Sequence, residues 1–112
     1  MDRLISLFMT NARKGAALLD VERPDWFRLI DTEALNMEGA WSCILGQLYG
    51  DFETGMLSLN LRVWGMSIDS FNYGFNLHYD SPDYLNADGE SWALLEIAWI
   101  QLINERLELA SV

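Results

Sequence analysis

The chain has 112 residues, of which 51% are apolar and 12% aromatic, and it carries a formal net charge of −10. That length suits one domain over residues 1–112, and the apolar share is too high for a disordered chain. An acid excess repels nucleic acid and anionic membranes, and no apolar run approaches the roughly 18 residues of a membrane span. The sequence therefore predicts neither direct nucleic-acid binding nor membrane association.

The charge is unevenly placed. Residues 1–28 hold five basic and four acidic groups; residues 29–112 hold two basic groups, Arg62 and Arg106, against thirteen acidic ones. Such a surface attracts basic partners, although acidity also keeps a small domain soluble. The first residues, "MDRLISLFMTNARK", break their apolar run at Ser6 and Thr10 and do not read as a signal peptide. With a single cysteine, that favours a reducing cytoplasm.

In chain order, residues 2–20 predict an amphipathic helix, because Leu4, Ile5, Phe8, Ala12, Ala16 and Leu19 recur at spacings compatible with one face. Pro24 separates it from "RPDWFRLID", a short helix or turn with Trp26 and either Leu29 or Ile30 facing inward. Asp31 suits a cap. Trp41, Ile44, Leu45 and Leu48 then match a second helix, with Gly46 inside it, Gly50 at its end and Asp51 capping the next segment. Residues 56–79 are ambiguous. Leu57, Leu59, Leu61 and Val63 alternate with polar residues, as do Phe71, Tyr73, Phe75, Leu77 and Tyr79, which suits half-buried strands. Phe52, Met56, Leu59 and Val63 also fit a helix. The expectation is a helix near 51–60, then irregular chain with a short β-hairpin, within a mainly α fold. "DSPDYLNADGE" reads as a polar loop before a last helix over about 89–109, striped by Trp92, Leu95, Trp99, Leu102, Ile103 and Arg106.

Little of this looks like chemistry. A nucleophilic thiol needs a base, and His78 is the sole histidine, outside any recognisable triad pattern; Cys43, between Trp41 and Ile44, reads as a core residue. One cysteine and one histidine cannot make a structural zinc set. Placing Gly89 at the turn glycine of a calcium loop puts Tyr84 and Leu95 where carboxylates are needed. A looser site from Asp80, Asp83, Asp88 and Glu90 competes with a solvated loop. "GQLYG" lacks the lysine and hydroxyl of a phosphate loop. No metal or cofactor is expected, and no catalytic residue is named. The aromatic segment is more suggestive: Trp64, Phe71, Tyr73 and Tyr79, with Asp80, Asp83, Asp88 and Glu90, form a candidate partner-binding set, aromatic anchors beside steering acids. The competing reading packs these rings into the core.

The order "GAALLD" (15–20), "PDWFRLID" (24–31), "CILGQLYGDF" (43–52), "GF" (74–75) and a tryptophan-bearing last helix resembles small uncharacterised proteins of actinobacterial phages and prophages. The likeness covers most of the chain and rests chiefly on the central block. It implies origin and a shared fold, with no activity attached. Together these features predict a non-enzymatic, acidic phage or prophage protein that binds a host protein with a basic surface, with occlusion of a nucleic-acid-binding surface as one route. Two other readings stay open. One is a small enzyme or small-molecule-binding domain built on the aromatic and acidic residues. The other is an assembly protein that forms homo-oligomers through a two-fold contact burying Trp92 and Trp99.

Overall fold

Two long amphipathic helices frame the molecule: α1 (Asp2–Glu22) and α4 (Gly89–Ala110). Between them come a 3-10 turn, η1 (Trp26–Arg28), and two short helices, α2 (Ile44–Tyr49) and α3 (Phe52–Ser58). The computed structural model describes residues 2–61, 71–77 and 89–111. The fold is mainly α, and no strand occurs among the described residues.

α1 buries Phe8, Ala12, Ala16 and Leu19, the face that the spacing predicts, and leaves Leu4 and Ile5 half-buried. Two alanines and Gly15 keep this face thin, so neighbours approach its backbone closely. α4 packs along it and contributes Trp92, Leu95, Ala98, Trp99, Leu102 and Ile103 to the same core. Burying each large apolar side chain contributes about 1.5–3 kcal/mol, which makes this pair of stripes the main source of stability. At the outer edge Arg106 grips Asp20 with two hydrogen bonds of 2.8 and 3.0 Å, and Asp20 also accepts from the Trp26 indole at 2.8 Å. Those donors hold the Asp20 carboxyl below its ordinary range, the Arg106 hydrogen bond most of all, against a smaller opposing effect of burial.

Pro24 follows α1, and Asp25 then turns the chain through a left-handed conformation (φ 67°). This drops Trp26 into the core at 0% exposure. Of the two inward candidates after it, Ile30 is buried and Leu29 is exposed. Trp99 stands at the centre of an aromatic column. It meets Trp26 edge-on (5.6 Å, 89°), stacks on Phe75 (5.5 Å, 16°), and donates its indole hydrogen to the Gly74 carbonyl at 2.7 Å.

The described residues of the 56–79 region depart from a hairpin. Met56–Ser58 belong to α3, as the 51–60 helix expectation holds, and Leu59 and Leu61 follow it into the core. Residues 71–77 form a helical turn closed by Gly74 N–H donating to Phe71 O at 3.0 Å. Gly74 has φ 74°, which an extended strand excludes. The alternating side chains of Phe71, Phe75 and Leu77 are buried all the same. The period-two pattern therefore reports burial here and not extended backbone. The remainder of the expected hairpin, 62–70 and 78–79, lies outside the described residues.

Candidate functional site

The block "CILGQLYGDF" builds a helical hairpin. Cys43 is its N-cap, not a residue within the helix: its sulfur accepts from the Gly46 N–H at 3.2 Å. Ile44, Leu45 and Leu48 are buried. Gln47 staples the preceding loop, accepting from Asp31 N–H (2.7 Å) and donating to the Asp31 (3.2 Å) and Ser42 (3.1 Å) carbonyls. Gly50 makes the exit turn at φ 100°, and Asp51 caps α3 by accepting from Thr54 N–H at 2.7 Å. That same hydrogen bond lowers the Asp51 carboxyl below its usual range. Gly46 and Gly55 permit the close packing: a Cβ on Gly46 would lie 2.5 Å from the Ala40 carbonyl oxygen, and one on Gly55 would lie 2.7 Å from Leu45 Cβ. Arg23 ties the unit to α1 by donating to the Leu48 carbonyl and lying over the Tyr49 ring at 4.9 Å.

Cys43 has no nucleophile's setting. It is 1% exposed, and burial pushes its thiol up, away from the thiolate that would react. His78 lies outside the described residues. Among those residues no group of three or more histidine, cysteine, aspartate or glutamate side chains could hold a metal ion.

Of the sequence-predicted partner set, Trp64, Tyr79, Asp80, Asp83 and Asp88 lie outside the described residues. Phe71 is 5% exposed, so its ring is committed to the core; Tyr73 is half-buried against α1, its carbonyl lying close to Gly15; Glu90 is exposed at the start of α4. Trp92 and Trp99 are both inside the chain's own core. A two-fold contact burying them would therefore have to open the monomer. The outer face of α4 offers Ile97 and Ile100 beside Gln101, Asn104, Glu105 and Glu108 instead.

Trp41 is the residue that sequence reasoning misplaced. The helical spacing with Ile44 and Leu48 predicts an inward ring, but the structure exposes 77% of it. α2 starts only at Ile44, and residues 36–43 are a turn, closed by Gly39 N–H to Asn36 O (3.0 Å), Cys43 N–H to Gly39 O (3.2 Å) and Asn36 N–H to Ser42 O (3.1 Å). The Trp41 backbone faces Gly46 at close range, which leaves the side chain outward. The flanking residues of "EGAWS", glycine before and serine after, were the available sign of a turn.

Beside Trp41 lies a cleft of about 120 Å³ with apolar walls from Met37, Phe52, Phe75 and Trp92, and with Glu38 and Ala40 at its lining. Its frame is fixed by Phe52 N–H donating to Ala40 O (2.8 Å) and by Met37 N–H donating to Glu96 Oε1 (3.0 Å). The second bond sets an α4 carboxylate on the Met37 backbone, one residue before Glu38. No lysine or arginine occurs from Leu29 to Leu61, while Asp31, Glu33, Glu38, Asp51 and Glu53 do. The arrangement suits non-covalent recognition of a positively charged group.

Comparison with known proteins found no matching family model, no matching curated protein and no matching solved structure. No helix among the described residues is long and apolar enough to cross a membrane.

Proposed function

We propose that this chain is a non-enzymatic, phage- or prophage-encoded protein that acts in its host's cytoplasm by binding a protein with a basic surface. Occlusion of a nucleic-acid-binding surface on that partner is the simplest consequence. The observation that carries the reading is the charge partition: thirteen acidic groups against two basic ones after residue 28, with a largely exposed tryptophan in a stretch that has no cation. Acidic side chains steer a basic partner into place, and a rigid aromatic anchors it. The resemblance of the central block to phage and prophage proteins supports the origin.

The acids from Asp80 to Glu90 belong to the same acidic part of the sequence. Charge reversal at Asp80, Asp83, Asp88 and Glu90 is expected to slow association with a partner isolated from the host and to flatten its salt dependence. Screening is the reason, since the Debye length falls from about 10 Å at 0.1 M salt to about 3 Å at 1 M. A partner whose affinity ignores both salt and these reversals would remove this reading.

A further inference from the structure

We propose that the cleft beside Trp41 receives one lysine or arginine side chain of the basic partner. This deepens the proposed function and rests on it. The cleft combines the two halves of such a side chain's chemistry. Met37, Phe52, Phe75 and Trp92 present apolar walls for the methylene stem. Glu38 supplies an exposed carboxylate at the lining, and that carboxylate has no hydrogen bond or ion pair among the described residues. Glu96, outside the lining, accepts from the Met37 N–H one residue before Glu38 and adds to the negative field there. Trp41 follows the lining residue Ala40 in the chain and is largely exposed, an aromatic face open to a cation.

Size and charge narrow the occupant. A single water takes about 10–15 Å³ in the same measure of volume, so 120 Å³ holds one long side chain and no large ligand. An acidic side chain would meet Glu38 with like charge. A purely apolar one would desolvate the Glu38 carboxylate without pairing it. The frame is already tied by the Phe52–Ala40 and Met37–Glu96 hydrogen bonds, so little ordering is required on binding.

The test uses the full chain, isotope-labelled for NMR and titrated with end-blocked hexalysine and hexaarginine at about 20 mM salt, where surface charge is least screened. Glu38→Gln and Glu108→Gln remove the same charge from two exposed sites, one at the cleft and one on the outer face of α4. Melting curves check that both variants keep the wild-type fold. The expected result is amide shifts concentrated at residues 37–41 and Phe52, together with the Trp41 indole. Glu38→Gln is expected to weaken binding by about fivefold or more and Glu108→Gln by less than about twofold, because a contact charge acts locally and a remote one acts only through the net field. Equal losses in the two variants, or shifts centred elsewhere, would overturn the cleft while leaving the acidic-surface reading in place. No binding of either peptide would remove both.

Discussion

The α1–α4 pair and the hairpin of residues 36–58 are held by different physics. The long helices, of 21 and 22 residues, join through side-chain burial along stripes visible in the sequence. Their backbones satisfy themselves, and Arg106–Asp20 and the exposed Arg13–Glu105 contact tie their polar edges. The hairpin's helices have six and seven residues, too short to persist alone. They depend on a sulfur cap, an aspartate cap, a glutamine staple and glycines that let backbones meet. Substitutions should therefore act by volume and apolarity in the first region, and by geometry and caps in the second.

The largest effects probe backbone approach. Gly74→Ala puts a Cβ 2.7 Å from the Ala12 backbone at a positive φ, and Gly46→Ala puts one 2.5 Å from the Ala40 carbonyl. Each should cost about 3 kcal/mol or more in chemical denaturation, because the obstructing atoms are backbone. Gly50→Ala is the control: its φ is also positive, but nothing lies within 4 Å of the added atom. About 1–3 kcal/mol is expected there, from conformation alone, because φ 100° with ψ −40° lies outside the left-handed helical well. Equal costs at Gly50 and Gly74 would mean that close approach contributes nothing.

Trp99→Ala belongs in the same range, at about 3–5 kcal/mol, since it empties the centre of the aromatic column and leaves the Gly74 carbonyl without its donor. Leu57→Ala, on the exposed side of α3, should change stability by less than about 0.5 kcal/mol.

Intermediate effects belong to the polar ties and caps. Asp20→Asn should cost about 1 kcal/mol at pH 7, a figure kept small because the Asp20 side chain is 43% exposed and solvent screens it. The Asp20 carboxyl titrates lower in the folded chain than in the unfolded one. Its contribution is thus complete above the ordinary aspartate range and disappears as pH falls through the lowered folded value. Wild type and variant melting temperatures should converge on acidification toward and below that value; a gap that widens there would contradict the assignment. Cys43→Ala loses a helix cap and should cost about 1 kcal/mol, whereas Cys43→Ser keeps an acceptor and should cost less. Thiol alkylation of the native chain should be slow and should accelerate on unfolding.

Trp41→Ala should have as small an effect on stability as Leu57→Ala, within about 0.5 kcal/mol in the same denaturation experiment, because its ring is largely outside the core. A large loss would show that Trp41 is a packing residue and would take the anchor away from the proposed surface.

The mainly α character, the apolar faces of both long helices, the Asp51 cap and the charge partition were all legible in the sequence. Each of these is local or periodic: a helix repeats every 3.6 residues, and net charge is a sum over the chain. The residues of "CILGQLYGDF" likewise marked a packed unit with a turn at Gly50. Where periodicity stops meaning secondary structure was settled by packing between distant segments. Phe71, Phe75 and Leu77 alternate as a strand would, yet the positive φ at Gly74 and the fit of its backbone against Ala12 make a turn of them. Trp41 shares the spacing of α2 but precedes its cap, so the close pass of Gly46 against its backbone leaves the ring outward. The cleft beside it joins residues from a turn, from α3, from the 75–76 segment and from α4, far apart in the chain. No spacing along a sequence encodes such a meeting, because packing distance between elements depends on what fills the space between them.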